Sequence, residues 1–320
     1  TSLPVRIVVS AGLLAVVAFS IDWDTVVEGL EDAKWWLFAL SVAVFFLGFV
    51  VAAARWRALL VVGEVQTSFG AAFRAYLIGM FANNLLPTGY GGDAVRAWVV
   101  APSGKALARS LTSVLVDRAS ALGCLVLLAW IAVALKADEL PGDIILLLAL
   151  STALIALAGL AVLLIARRQG LGRFLPDSVR EWTGEVARTI RIYERDRGLI
   201  VFVLLAGIAY QAIVLAAFWL IAESLSLDLD PAILAVVVPP VLLAALLPIS
   251  LAGFGVREGA FVVLLGEFGV SAADATLLSV LSVVAVTIAS LPGGVAIALG
   301  SGEFKRQSPN ASGRFPMGPD

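Results

Sequence analysis

Long apolar runs separated by short polar loops dominate the chain from residue 5 to residue 300. A membrane-crossing helix needs about 20 apolar residues, each advancing about 1.5 Å. Such runs fall at about 5 to 21, 35 to 54, 107 to 135, 144 to 166, 199 to 222 and 274 to 300, which predicts six full spans. The first begins with Arg6 alone and has no small-residue cleavage site, so it reads as a retained helix. Two further apolar stretches, 69 to 86 and 231 to 249, each run into a loop rich in Pro and Gly and then a second short apolar segment.

Charge orients these spans, because short cytoplasmic loops retain Lys and Arg. The loop 22–34 holds Asp22, Asp24, Glu28, Glu31 and Asp32 against Lys34, the loop 136–143 holds three acids against Lys136, and 223–230 holds three acids and no base. These loops are expected outside, with Trp23, Trp35 and Trp36 as an exterior aromatic belt. Arg55 and Arg57, then Arg96, Lys105 and Arg109, then eight arginines between 167 and 197, then Lys305 and Arg306 mark the cytoplasmic side. Both termini are therefore expected inside. Residues 57 and 105 share a face, so the stretch between them enters the membrane and returns, and 230 to 274 does the same from the exterior. The expected fold is an all-α polytopic membrane protein with two re-entrant helical hairpins. Non-helical backbone at membrane depth is tolerated only inside protein or along a wet cavity, so each hairpin tip should sit at a pathway.

The two hairpins superpose without a gap at an offset of 161 residues: Leu85-Leu86-Pro87 falls on Leu246-Leu247-Pro248, Gly92 on Gly253, and Arg96 on Arg257. This predicts an inverted-topology repeat, copies at about 35–135 and 199–300, of the kind many secondary transporters use. Between them lie span 144–166 and a cytoplasmic interfacial helix over 177–196. That helix opens with Pro176-Asp177-Ser178 and Glu181 as a capping box and aligns Val179, Trp182, Val186, Ile190 and Tyr193 on one face. It suits either the gathering of acidic lipid or a plain surface connector. Residues 1–300 read as a single membrane domain and 301–320 as a polar, disordered tail.

Composition narrows the function. With 61% hydrophobic and 14% charged residues, and a mean hydropathy of +1.00, the chain is far from the soluble range of roughly half apolar and a quarter charged. There is no histidine, and Cys124 is the one cysteine, which removes Ser/His/Asp and Cys/His triads, histidine-ligated metals and an intrachain disulfide. No metal and no cofactor is expected, and there is no P-loop for ATP. A net charge of −2 argues against nucleic acid.

Several elements together carry a resemblance. They are Asn84-Leu85-Leu86-Pro87 with Gly91-Gly92-Asp93 and Arg96-Ala97, then Val116-Asp117-Arg118, then Leu247-Pro248-Ile249-Ser250 with Gly253-Phe254-Gly255-Val256-Arg257-Glu258-Gly259-Ala260. Over about residues 5 to 300 the chain resembles the lysylphosphatidylglycerol synthase transmembrane region family, also called flippase-like membrane domains. The resemblance implies a domain of a prokaryotic-type cell membrane that moves lipids between leaflets, aminoacylated phosphatidylglycerol in the best-known members. A separate lipid-synthesising enzyme is then an expected partner.

The candidate substrate-binding residues are Arg96, Arg257, Glu258, Asp93, Asn84, Asp117 and Arg118, with Pro87, Gly91, Gly92, Pro248, Gly253 and Gly255 shaping the hairpin backbones. Arginine suits a phosphate because its planar fork gives two parallel charge-assisted bonds. Arg257 has an exterior position that topology does not explain, and it serves either a lipid headgroup or a structural salt bridge with Glu258. Glycine runs let the backbone approach an anion at the start of a helix, or simply let a hairpin turn tightly. Asp117 and Arg118 have no charged counterpart at the 161-residue offset; they fit a cytoplasmic gate that pairs with Arg96 and Asp93, or a solvated pair. Asn83, Asn84, Thr88 and Tyr90 add hydrogen-bonding capacity at the first tip. The expected function is a lipid translocator, not an enzyme, that passes an anionic headgroup between the two hairpins. An integral-membrane lipid-modifying enzyme would need clustered acid/base groups, and a transporter of a small soluble anion a narrower cavity. A homo-oligomer is compatible with all three.

Overall fold

Apolar sequence that must satisfy its own backbone becomes helix, and the computed structural model shows no other extended element among the residues it describes, 3–86, 91–136, 138, 140–167, 177–246, 250 and 253–307. In chain order the helices are α1 (Leu3–Ser20), α2 (Trp23–Glu31), α3 (Trp35–Val62), α4 (Phe69–Leu85), α5 (Gly91–Val100), α6 (Gly104–Lys136), α7 (Gly142–Arg167), α8 (Asp177–Arg195), α9 (Arg197–Ser224), α10 (Pro231–Leu246), α11 (Val256–Gly266) and α12 (Ala272–Gln307). Four are long and apolar enough to cross a membrane: α3, α6, α9 and α12 as far as Leu299. A fifth results if Val9–Phe19 and Trp23–Glu31, which meet at 83°, are counted as one span. Shorter apolar helices cover Gly142–Leu157 and Pro231–Ala245.

The same sequence of elements occurs twice: a helix, a flanking helix, a long helix, two short arms and a long helix. Packing follows the repetition. The long helix α3 lies along its counterpart α9, while α6 packs on α9 and on the arm α10, and α12 packs on α3 and on the arm α4. Each half therefore closes over the other half's hairpin. The flanking helices α2 and α8 obey the same exchange, α2 resting on α12 and α8 on α6, whereas α1 packs on α11 and α7 on α10 and α6. The register expected from sequence holds only part-way. Helices α3 and α9 begin at 35 and 197, and α4 and α10 at 69 and 231, but α5 and α11 begin at 91 and 256 and α6 and α12 at 104 and 272.

Helix α12 touches both hairpins. Near its start Ser279 meets Glu258 and Arg257 of α11, and further along Asn84 Nδ2 donates to Ser290 Oγ at 2.9 Å. Beyond that contact α12 and α4 are in backbone contact: a Cβ on Gly293 would lie 2.1 Å from the carbonyl oxygen of Leu77. Small residues at such crossings let membrane helices gain dispersion contact. Gly293→Ala should therefore cost about 1–3 kcal/mol, because backbone rather than a flexible side chain must yield. Gly123→Ala on α6, where nothing lies within 4 Å of the new methyl group, should leave the melting temperature in detergent unchanged. Equal melting temperatures for the two variants would contradict the close crossing.

Candidate functional site

Three helices deliver five charged side chains to one cluster. Arg55 comes from the latter part of α3, Asp93 and Arg96 from successive turns of α5, and Asp117 and Arg118 from α6, with α4 supplying Tyr76 beside them. An i,i+3 spacing keeps Asp93 and Arg96 on one face, whereas neighbouring Asp117 and Arg118 diverge by about 100° and reach different partners. Asp117 accepts from Arg55 Nε at 2.8 Å on Oδ1 and from Arg96 Nη2 at 3.0 Å on Oδ2. Arg118 closes on Asp93 with two bonds, 2.8 and 3.1 Å. Of the two alternatives that the sequence leaves for Asp117 and Arg118, the structure shows pairing with Arg96 and Asp93 rather than a solvated pair. Arg55, Arg96 and Asp117 are almost wholly buried, at 1–2% exposure, while the Arg118 side chain is 43% exposed.

Charges so buried are stable only when opposed, since removing one partner leaves the other uncompensated. Here the signs alternate along the cluster, yet three guanidinium groups face two carboxylates. Aromatic faces take part of the excess: the Arg96 Cζ lies 4.7 Å from the Trp56 ring centroid and 4.9 Å from that of Tyr76, and Arg55 lies 5.4 Å from that of Tyr210. Trp56 is itself anchored, donating from Nε1 to Ser113 Oγ at 2.9 Å. Donors remain unused. Arg55 Nη1 and Arg96 Nη1 have no hydrogen-bond partner, and Arg96 Nε, 3.1 Å from Asp93 Oδ1, is not aligned for a bond. Each buried donor left in that state costs about 1–3 kcal/mol.

The second hairpin is organised differently. Gly253 and Gly255 have φ of 83° and 82°, left-handed backbone that glycine adopts freely, and α11 starts directly after them. Glu258 reaches back to accept from the Gly255 N–H at 2.6 Å, capping the helix. Its other oxygen accepts from Arg257 Nη2 at 2.7 Å and from Arg257 Nε and Ser279 Oγ, each at 3.1 Å. Arg257 and Glu258 thus neutralise each other on the spot. Arg257 is the second residue of α11, whereas Arg96 is the sixth of α5, so the two arginines matched by the gapless alignment stand at different places on their helices. Helix α1 covers this turn, with Leu13 Cβ 2.6 Å from where a Gly255 Cβ would be.

The lysylphosphatidylglycerol synthase TM region family matches residues 4–294. The chain belongs to that family. It is accordingly a multi-pass integral membrane protein with a lipid-related membrane function. The chain matches no curated protein sequence.

Within this family member the remaining candidates divide clearly. Asn84 serves the α4–α12 crossing and makes no bond to the ion cluster, while its neighbour Asn83 accepts from the Gly92 N–H at 2.8 Å and so joins the two arms. Gly91 and Gly92 open α5. Pro87, Thr88, Tyr90 and Pro248 lie outside the described residues. In the sequence Arg55 marks only the cytoplasmic side; the signal that it does more is its place in an apolar helix of 28 residues, directly before Trp56.

An outer network braces α3 and α6. Arg109 contacts Glu64 at 2.8 Å and Glu185 of α8 at 2.5 Å, Arg188 contacts the same two acids, and Tyr193 donates to the Leu59 carbonyl at 2.8 Å near the end of α3. Burial pushes the Glu185 carboxyl up, but the Arg109 hydrogen bond and charge, with Arg188 and Lys105, outweigh it and hold the group below the usual carboxylate range. Burial pushes the Tyr193 phenol above its ordinary value.

Two outcomes follow from these arrangements. Asp117→Asn leaves Arg55 with no opposing charge and Arg96 with Asp93 alone, and should lower stability by about 3–5 kcal/mol. Asp93→Asn, whose partner Arg118 is half-exposed, should cost about 1–2 kcal/mol. Chemical unfolding in detergent measures both, and equal losses would remove Asp117 from its central position. Because the folded Glu185 binds its proton more weakly than the unfolded group, its contribution is complete above the unfolded value, about 4.3, and fades as pH falls through the lower folded value. Hydrogen exchange in α8 should therefore show undiminished electrostatic protection from pH 7 to about 5 and lose it below about pH 4, a loss absent in Glu185→Gln.

Proposed function

We propose that the protein is a lipid translocator whose anionic-headgroup site lies at the first hairpin. The observation that carries this reading is the cluster of Arg55, Arg96, Arg118, Asp93 and Asp117, with its excess positive charge and its unpartnered, buried guanidinium nitrogens. A phosphate group bound there supplies acceptors to donors that otherwise have none, and charge-assisted bonds of this kind are among the stronger ones. In this reading α4–α5 and α10–α11 are re-entrant hairpins, and α1, α7 and the four long helices are six spans. Three spans per half run the two halves in opposite directions, with both termini cytoplasmic. The lipid tails stay in the bilayer while the headgroup crosses through protein. The repeat supports the reading, since a pair of broken helices at an inverted repeat is a common frame for transport. Membership of a family named for a lipid synthase supports a lipid as the cargo.

Arg96→Ala is the informative variant, because it leaves Arg55 with Asp117 and Arg118 with Asp93, a neutral cluster with no stranded carboxylate. Transfer of a labelled anionic phospholipid in reconstituted vesicles should fall about 10- to 100-fold, the equivalent of one charged hydrogen-bonding contact. A folding check by thermal melting accompanies the assay. Wild-type transfer by folded Arg96→Ala would sink the proposed site, and absence of transfer by the wild-type protein would sink the translocator.

A further inference from the structure

Helices α3 and α9, which join the two halves, leave a gap where α3 ends and α9 begins. An open groove of about 400 Å³ lies there, with Arg57, Ala58 and Val62 on one wall and Asp196, Leu199 and Phe202 on the other. That volume lies within the range of small-ligand sites, about 300–1,000 Å³. Its base is a small apolar cluster of Leu59, Tyr193, Leu199 and Val203, separate from the main core and tied by the bond from the Tyr193 hydroxyl to the Leu59 carbonyl. Phe202 is 44% exposed and shares its stretch of α9 with the exposed Ile200, Val201 and Leu205, a surface that in a membrane meets acyl chains.

Two opposite charges line this groove without pairing with each other. Arg57 donates from Nε to the Thr67 carbonyl at 3.1 Å and makes no ion pair among the described residues. Asp196 caps α9, its Oδ1 accepting from the Leu199 N–H at 2.9 Å, and its Oδ2 has no bond among the described residues. The groove therefore offers one cation and one anion, each with capacity to spare, above an apolar base. Arg57 stands two positions beyond Arg55, about 200° further around α3, so it belongs to a different face of the helix from the buried cluster.

We infer that this groove holds a zwitterionic phospholipid with a primary ammonium headgroup, kept as a fixed bridge between the two halves and not carried as cargo. Its phosphate takes the spare Nη donors of Arg57, its ammonium donates to Asp196 Oδ2, and an acyl chain lies over Val62 and Phe202. The inference stands apart from the translocator reading, because it uses other residues at another place. Charge selects this class. Arg57 and Asp196 sum to zero, and a zwitterion preserves that balance, whereas an anionic lipid sets a surplus beside Asp196. A quaternary ammonium has no N–H, so full methylation of the amine removes the charge-assisted bond to the carboxylate.

Binding is measured by native mass spectrometry and by melting temperature on the purified full-length protein stripped of lipid in detergent. The probes are phosphatidylethanolamine, phosphatidylcholine and phosphatidylglycerol with identical tails, and glycerophosphoethanolamine as the headgroup without tails. One equivalent of phosphatidylethanolamine should bind about tenfold or more tightly than each of the other three, the effect of one charged hydrogen bond. Asp196→Asn keeps the helix cap, because asparagine caps as well as aspartate, and removes the charge. In that variant phosphatidylethanolamine should weaken about tenfold, to the level of phosphatidylcholine, while phosphatidylcholine binds as it does to the wild type. A capping role alone leaves the ratio of the two lipids unchanged, and that outcome would overturn the proposal. Arg57→Gln should weaken both zwitterionic lipids about tenfold. Ala58→Phe fills the groove and should abolish the equivalent, whereas Arg96→Ala in the buried cluster should retain it. Equal affinity of the wild type for phosphatidylethanolamine and phosphatidylcholine would overturn the ammonium contact, and wild-type affinity in Ala58→Phe would overturn the groove as the site. Equal affinity for the tail-free headgroup would overturn a lipid as the occupant. A lipid-free dimer that Ala58→Phe dissociates would place a second copy of the chain in the groove and overturn the lipid as well.

Discussion

Asp117 holds two arginines from two different helices on its two oxygens, and the arrangement of α3, α5 and α6 depends on it. Neither Arg55 nor Arg96 is tolerable at 1–2% exposure without an opposing charge. Helix α5 is only ten residues long, and the bond from Arg96 to Asp117 ties its middle to α6 and, through Arg55, to α3. Trp56 and Tyr76 then pack against a guanidinium already held in place, and the Ser110–Ser113 pair of α6 bonds outward to Ala97 and Trp56. Burial of charge and order in the hairpin are one phenomenon here.

Much of this was legible in the residues. The long apolar helices, the arms that break at Pro and Gly, and the meeting of Asp93, Arg96, Asp117 and Arg118 all follow from charges placed in apolar sequence, which must find each other. Arg55 escaped because a cation towards the end of a span has a ready topological explanation, and nothing local distinguishes a residue that snorkels to water from one that turns inward. The equivalence of Arg96 and Arg257 failed for a geometric reason. The gapless match is sound up to the first arm, but the turn before α11 consumes more residues than the turn before α5, and beyond it equal spacing in sequence no longer means equal position in space. The kinship of α8 with α2 lies in packing order, which no residue pattern displays: α2 is acidic and short, α8 carries arginines and glutamates over 19 residues.

The two halves are alike in architecture and unlike in chemistry. One hairpin gathers charge from three helices and leaves donors over; the other caps itself with Glu258 and lies under α1. A repeat supplies a symmetric frame, and sequence divergence has placed the polar work on one side of it.

Helix α12 meets Glu258 at Ser279 and Asn84 at Ser290, two points roughly 16 Å apart along its axis at 1.5 Å per residue. Past the second point it rests against the backbone of α4 with no side chain between. A rod pinned in this way has a fulcrum: tilting about the Gly293 crossing swings the Ser279 end through a larger arc than the Ser290 end. The two hairpins thus share one helix, and a tilt of α12 would displace the Glu258 contact further than the Asn84 contact.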